Sequence, residues 1–159
     1  MSKFNDQQWE AHIWLSRMWG KDNEITAYET RKAIIISQLS GIGKYDENFI
    51  PASNGDNAVE TKHLEYSILC EKIDRLLAKI SYENVRTSEV IDKIKDPNTH
   101  NMIYDRYLNR MSWSQLQHKY HYAQRQPYRI ISDGLAKIRT YIPDEWINQV
   151  IQESEKLRG

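Results

Sequence analysis

The stretch from Ser112 to Arg139, SWSQLQHKYHYAQRQPYRIISDGLAKIR, decides the fold that we expect for this chain. In its first part apolar side chains recur every three or four residues, at Trp113, Leu116 and Tyr120. This spacing predicts a short amphipathic helix. Ser112 and Gln115 are spaced for a capping box, in which each side chain accepts from the other residue's backbone amide at the start of the helix.

The second part of the stretch predicts a second amphipathic helix. Its apolar face comprises Pro127, Ile130, Ile131, Gly134, Leu135 and Ile138. Its opposite face is polar, cationic and aromatic and comprises Arg125, Tyr128, Arg129 and Ser132. Two short helices joined by a tight turn form a helix-turn-helix, whose second helix enters a major groove. Helix pairs of this kind also occur in bundles that bind no nucleic acid, so the pattern leaves a scaffold role open.

With residues 104–111 added, the segment YDRYLNRMSWSQLQHKYHYAQRQPYRIISDGLAKIR resembles region four of bacterial sigma factors. It looks most like the sigma-like late-gene transcription regulators of phages and prophages of Gram-positive bacteria, the ArpU and RinA type. The matching elements are RYL before the motif, SW at the start of the first helix, QRQ-YRI in the second and LAKIR at its end. Looser matches are an early WL at 14–15, a polar loop through SNGDN and a long helix after it.

The resemblance implies a DNA-binding transcription regulator of a bacterial host cell, acting on double-stranded DNA and activating late genes together with host RNA polymerase. Docking of the second helix in a major groove would bring four side chains to base edges, namely Gln124, Arg125, Tyr128 and Arg129. Gln126, like Tyr128, would be shared with the DNA backbone. Phosphates would be contacted by Lys119, Lys137 and Arg139.

Three residues depart from the usual helix-turn-helix pattern. His121 stands where glycine is usual in the turn, and a positive φ costs histidine more than glycine. Ala123 stands where serine or threonine usually caps the second helix, and alanine caps no amide. Pro127 costs about 3 kcal/mol in a helix interior but little in a first turn. We therefore expect the second helix to begin near Gln126, with residues 124–125 still in the turn.

The charge distribution is compatible with a nucleic-acid partner. The net charge of the 159-residue chain is zero, which argues against a nonspecific nucleic-acid coat. Residues 100–140, however, carry seven lysines and arginines against two aspartates, which gives a net charge of +5 and leaves −5 for the remainder. Such a basic module would bind DNA through one face in a salt-sensitive way, although a solvated helix surface explains the same count.

We expect an all-α fold made of five segments. They are an N-terminal helical hairpin at 1–40, a loop or linker at 41–58, a long helical segment at 59–96, the helix-turn-helix module at 97–140 and a C-terminal helix at 141–159. In the hairpin the helices would span 5–19 and about 25–40. In the long segment a break near Asn84 or Ser88 and an end at Pro97 are expected. The C-terminal helix would open at Pro143 and Asp144 and pack either in its own bundle or against a second copy in a homodimer.

Other classes of protein find little support. The apolar run at 33–36 is far shorter than the roughly 20 residues of a membrane span, and the start MSKFNDQQ lacks the layout of a signal peptide, so a cytoplasmic protein is expected. The single cysteine, Cys70, excludes an internal disulfide and a thiolate metal cluster and is expected to be buried and inert. His118 and His121 have no acidic or thiol companion for zinc. No nucleophile, phosphate-loop or paired-carboxylate motif points to an enzyme or a cofactor.

Two rival functions remain open. One is a protein-interaction module, for example a phage-encoded inhibitor of a host factor, in which the tryptophan-rich hairpin is the working surface and the helix-turn-helix is scaffold. Pro127, the missing cap and the zero net charge favour it. The other is a DNA-packaging adaptor, in which a helix-turn-helix is joined to an oligomerising helical stalk. Tryptophans of this kind more often belong to a core than to an interface.

Overall fold

The computed structural model describes residues 4–44 and 53–158. Over these ranges the chain forms helices and no strand, which confirms the expected all-α fold. The helices are α1 (Asp6–Leu15), α2 (Lys21–Lys44), α3 (Ser53–Ile91), α4 (Pro97–Tyr107), α5 (Trp113–Tyr120), α6 (Gln126–Arg139) and α7 (Asp144–Arg158). Among the described residues no helix is both long enough and apolar enough to cross a bilayer.

The chain divides into two compact units that differ from the expected segments. Unit 1 comprises the described residues of 1–18 and 82–159, and unit 2 comprises those of 19–81. Helix α1 therefore belongs with the C-terminal helices, where it packs against α6 and α7. It ends at Leu15, earlier than expected, where the Arg17 amide bonds the Trp14 carbonyl only three residues back (3.3 Å) and Arg17 Nη1 donates to the same carbonyl (2.8 Å).

Three expected boundaries are wrong for local reasons. Helix α2 continues to Lys44 and α3 begins at Ser53, so only residues 45–52 of the expected loop lie outside the described residues. Glycine costs about 1 kcal/mol inside a helix, and extending an existing helix needs no new nucleus. Helix α3 runs unbroken to Ile91, since the buried Thr87 hydroxyl is satisfied by the Glu83 carbonyl (3.0 Å). Pro97 begins α4 instead of ending a helix, because its missing amide costs nothing there.

Unit 2 consists of α2 and the part of α3 up to residue 81. Arg31 pairs with Glu65 across the two helices, with 2.7 Å between Nε and Oε2. The buried apolar side chains of this unit are Ile35, Leu69 and Ile73, whereas Ile34, Ile36, Leu64, Ile68 and Leu77 are exposed. Cys70 is only partly buried, so the predicted burial of its thiol is wrong.

Unit 1 has its core where α4, α5 and α6 meet. Its buried side chains there are Met102, Ile103, Tyr107, Leu116, Ile131, Leu135 and Ile138. Gly134 lets α6 approach α4 closely, because a Cβ at that position would lie 2.7 Å from Thr99 Cγ2 and closer still to Ile103 Cδ1. The expected inward face of the second helix is thus confirmed at Pro127, Ile131, Gly134, Leu135 and Ile138.

The tryptophans of α1 have different surroundings. Trp14 is only 1% exposed, and its ring stacks on that of Trp146 in α7 at a centroid distance of 5.5 Å. The Arg17 guanidinium lies 3.7 Å from the Trp14 ring centroid and pairs with Glu83 at 2.8 Å. Trp9, in contrast, is 53% exposed. Trp14 is therefore a core residue, as expected for these tryptophans. Helix α7, which carries Trp146, begins at Asp144 as expected.

Candidate nucleic-acid interface

The helix pair α5–α6 has the local geometry that the sequence predicts. Ser112 and Gln115 form the capping box at the start of α5. His121 adopts the left-handed conformation with φ 56°, at the position where glycine is usual, and its amide bonds the Gln117 carbonyl. Helix α6 begins at Gln126, has no side-chain cap and places Pro127 in its first turn. The predicted start of the second helix is confirmed.

The turn and the first turn of α6 present polar and cationic side chains to solvent. The exposed residues are Gln124, Arg125, Gln126 and Arg129. In the described part of the chain, the guanidinium groups of Arg125 and Arg129 take part in no ion pair or side-chain hydrogen bond. Helix α6 is amphipathic, since its other face is buried against α4 and α1. Two uncompensated positive charges therefore lie at one exposed end of a helix.

A groove opens between α5 and α6 beside these charges, with a volume of about 650 Å³. We call it the α5–α6 groove, and it is lined by Trp113, Ser114, Gln117, Gln124, Arg125, Tyr128 and Arg129. Two guanidinium groups, a hydroxyl and two amides converge there, and such donors bind phosphate oxygens and base edges. The sequence interpretation missed three of these residues, Trp113, Ser114 and Gln117. Their spacing on one side of a helix was the available signal.

Tyr128 lies in an aromatic cluster instead of projecting freely from α6. Its ring stacks on Phe4 with a centroid distance of 5.2 Å and an interplanar angle of 4°. The Trp113 ring lies 5.3 Å away at a tilt of 56°. On Trp113 itself the Arg106 guanidinium lies 4.5 Å from the ring centroid, and Arg106 Nη1 also donates to the Met111 carbonyl at 2.8 Å. Two rings of this cluster, Trp113 and Tyr128, line the groove.

Lys119 is engaged by a buried carboxylate. Its Nζ lies 2.7 Å from Asp105 Oδ2, which also accepts from the Tyr120 hydroxyl at 2.6 Å, while Asn109 donates to Oδ1 at 2.8 Å. Burial would raise the pKa of the Asp105 carboxyl, but the hydrogen bonds from Lys119, Tyr120 and Asn109 hold that pKa below its ordinary value. Lys119 thus ties α5 to α4, and it does not line the α5–α6 groove.

The Arg139 guanidinium is bound by groups of the protein itself. Its Nε lies 2.8 Å from Glu10, its Nη2 lies 2.6 Å from Asp144, and its Nη1 donates to the Ile142 carbonyl at 3.0 Å. Its side chain is 18% exposed. The expected phosphate contact by Arg139 is therefore not supported, because these contacts instead join the end of α6 to α1 and α7.

Lys137 is exposed, but it lies near the opposite end of α6 from the groove. Eight residues separate it from Arg129. At 1.5 Å per residue this separation corresponds to about 12 Å along the helix. Of the eight residues expected to contact DNA, the structure brings Gln124, Arg125, Tyr128 and Arg129 together in the groove, with Gln126 exposed beside it.

None of the three histidines His12, His118 and His121 lies in a recognisable metal site among the described residues. His118 and His121 are exposed, and the described residues contain no group of three or more histidine, cysteine or acidic side chains placed to hold a metal ion. His12 Nδ1 lies 2.8 Å from the Tyr107 hydroxyl beneath the aromatic cluster. Burial, and then the positive charge of Arg106, lower the pKa of His12.

Comparisons with protein-family models, with curated proteins and with solved structures give no match for this chain. Its function must therefore be inferred from the groove, the charges beside it and the packing that positions them. The groove presents hydrogen-bond donors that suit an anionic partner carrying further donors and acceptors. Arg125 and Arg129 supply the positive charge, and the amides of Gln117 and Gln124 can both donate and accept.

Proposed function

We propose that this chain is a sequence-specific DNA-binding protein that regulates transcription. The observation that carries the proposal is the exposed start of α6, where Arg125 and Arg129 have no partner among the described residues. Other arginines of unit 1, such as Arg17 and Arg139, are held by carboxylates within the protein. This contrast favours an external anionic partner at the α5–α6 groove.

Duplex DNA fits this surface better than an isolated anion does. Arginine recognises guanine through two parallel hydrogen bonds, and glutamine recognises adenine in the same way. Both residue types stand side by side at Gln124 and Arg125, in the turn that leads into a helix whose diameter suits a major groove. Ser114 and Gln117, on the opposite wall of the groove, would donate to phosphate oxygens and set the register.

Selection of bound duplexes from a random-sequence library, repeated at two salt concentrations, tests the proposal. We expect one short motif to be enriched, with an affinity that falls steeply as salt rises. The double variant Arg125→Ala, Arg129→Ala should lose the motif. The single variant Arg75→Ala is the matched control, since it removes an exposed arginine from unit 2. Failure to enrich any duplex even at low salt would refute DNA binding.

The resemblance to sigma region four supports a more specific role, that of a phage or prophage late-gene regulator acting with host RNA polymerase. Run-off transcription with purified bacterial RNA polymerase, on a template carrying the selected motif near a promoter, tests this role. More transcript in the presence of the protein is expected. Less transcript would mean that the protein is a repressor. An unchanged amount of transcript would refute the regulatory role while leaving DNA binding in place.

A protein-interaction module is the second candidate function. Exposed apolar side chains on unit 2, among them Ile34, Leu64 and Ile68, favour it. The tryptophan-rich N-terminal segment is less suitable for this role, because Trp14 is buried. A DNA-packaging adaptor is distinguished by its mass in solution: a ring-sized particle supports the adaptor, whereas a monomer or homodimer supports the regulator.

A further inference from the structure

The start of α6 lacks the device that stabilises the start of α5. In α5 the Ser112 hydroxyl accepts from the Gln115 amide at 3.1 Å, and the Gln115 side chain accepts from the Ser112 amide at 2.8 Å. At α6 no side chain bonds a first-turn amide. Uncapped first turns fray more easily, because their amides have no partner in the helix. Something else must hold the residues that present the two free arginines.

Aromatic packing supplies that support at Tyr128, the third residue of α6. Phe4, which immediately precedes the cap residue of α1, stacks face to face with Tyr128 at 5.2 Å. Trp113, the first residue of α5, lies 5.3 Å from Tyr128 at a tilt of 56°. Three rings from three helices or their ends thus meet at the first turn of α6, between Arg125 and Arg129.

Phe4 is itself fixed relative to α6. Gln8, in the first turn of α1, donates from Nε2 to the Ser132 carbonyl at 2.9 Å, one helical turn beyond Tyr128. Gln8 also completes the capping box with Asn5, the residue next to Phe4. The His12 ring centroid lies 5.5 Å from that of Phe4. Phe4 is therefore held in register with the start of α6 by α1.

We propose that Phe4 is a positioning residue for DNA binding, whose ring supports Tyr128 and thereby holds the first turn of α6 that presents Arg125 and Arg129. The DNA part of this inference rests on the proposed function, whereas the support of the first turn does not. Tyr128 then acts mainly through its packing, and the expected direct contact of Tyr128 with bases becomes secondary. A residue more than 120 positions away in sequence would set the geometry of the groove.

The test compares Phe4→Ala with Trp9→Ala, its matched control. Both variants remove an aromatic ring from the N-terminal part of the chain, but the Trp9 ring is 53% exposed and stacks on His12, whereas the Phe4 ring stacks on Tyr128 itself. Hydrogen exchange at the amides of Gln126 and Arg129, which donate to the Ala123 and Arg125 carbonyls, reports on the first turn. Phe4→Ala should speed exchange there and weaken binding to the selected duplex about 2- to 10-fold, the range expected for one lost aromatic pair. Trp9→Ala should change neither, and Phe4→Tyr, which keeps a flat ring, should preserve both.

The outcomes separate the two proposals. Unchanged exchange at these two amides in Phe4→Ala would overturn the positioning role. Faster exchange with unchanged affinity would overturn its link to DNA, and faster exchange throughout unit 1 with a matching fall in melting temperature would make Phe4 an ordinary core residue. If the wild-type protein selects no duplex, the proposed function fails, yet the exchange comparison still decides whether Phe4 holds the first turn.

Discussion

Unit 1 and unit 2 are both built from helices, but they bury very different amounts of apolar side chain. Of the eighteen buried apolar residues in the described ranges, fifteen belong to unit 1 and three to unit 2. Unit 1 adds stacked aromatic rings and ion pairs that join helices distant in sequence, such as Arg139 with Glu10. The inter-helix ion pair of unit 2, between Arg31 and Glu65, is exposed to solvent.

We expect this difference in packing to suit the two units to different roles. A site that depends on the positions of a few side chains requires rigid, well-packed support, and unit 1 supplies it beneath the α5–α6 groove. Regions with few buried contacts open more easily and are the usual sources of conformational change and partner binding. Unit 2 should therefore open first, while unit 1 retains the groove.

The comparison is tested most severely by removing one buried side chain from each unit. Leu135 in α6 and Ile35 in α2 are both fully buried. Leu135→Ala should destabilise unit 1 by about 2 to 5 kcal/mol, because it leaves a cavity among α4, α5 and α6. Ile35→Ala should open the α2–α3 pair and leave unit 1 intact. Urea unfolding followed by residue-resolved hydrogen exchange measures the two effects separately.

The DNA-binding assay provides the control for this pair of variants. Leu135→Ala should abolish binding to the selected duplex, and Ile35→Ala should preserve it. If both variants speed exchange equally in both units, the chain unfolds as a single cooperative body. The contrast between the units would then be wrong.

Gly134→Ala tests how tightly unit 1 is packed. A Cβ at this position would lie 2.7 Å from Thr99 Cγ2 and would overlap Ile103 Cδ1, so we expect a loss of about 1 to 3 kcal/mol in the free energy of unfolding. Adding Ile103→Val removes the Cδ1 atom and should recover part of that loss. Measured by urea unfolding, an absence of recovery would mean that α6 moves away from α4 at little cost.

The parts of this fold that depend on short-range signals could be predicted from the sequence. Ser112 with Gln115 determines where α5 begins, and Pro127 with Ala123, which caps no amide, determines where α6 begins, in both cases through interactions within a few residues. The place of α1 could not be predicted. An apolar face indicates that a helix needs a partner but not which one, and its partners Ser132 and Arg139 lie more than 120 residues away.

The candidate site shows the same division. Exposed arginine and glutamine side chains near the start of α6 could be expected from composition and spacing alone. The engagement of Lys119 by Asp105 and of Arg139 by Glu10 depends on which carboxylates the fold brings near, so both were expected to be free for phosphates. Tyr128 likewise has a stacking partner, Phe4, that local sequence does not indicate.

Arg129→Ala tests whether unit 1 alone reads DNA. We expect it to weaken binding to the selected duplex by about 1 to 3 kcal/mol and binding to random duplex by less, because a contact to a base edge depends on sequence. Arg75→Ala removes an arginine that is 80% exposed in unit 2 and should change neither affinity. Equal weakening on both duplexes would reduce Arg129 to a phosphate contact, and an effect of Arg75→Ala would extend the interface to unit 2.

The smallest expected effect concerns two histidines of unit 1 that respond to pH in opposite directions. Burial and the charge of Arg106 lower the pKa of His12, so its contribution to stability is present above about pH 6.5 and is lost as the pH falls through the lowered pKa. Hydrogen bonds to Asp92 and Asn101 raise the pKa of His100. Its contribution is present below about pH 6.5 and is lost as the pH rises through the raised pKa.

Substitution of each histidine by glutamine separates the two contributions. Between about pH 8 and about pH 5, acidification should destabilise His12→Gln less than the wild type and His100→Gln more. Urea unfolding at several pH values gives both slopes, and the carboxylates common to all variants cancel in the comparison. If the His12 and His100 variants shift in the same direction, the two rings do not have the opposite environments that the burial of His12 and the contact of His100 with Asp92 indicate.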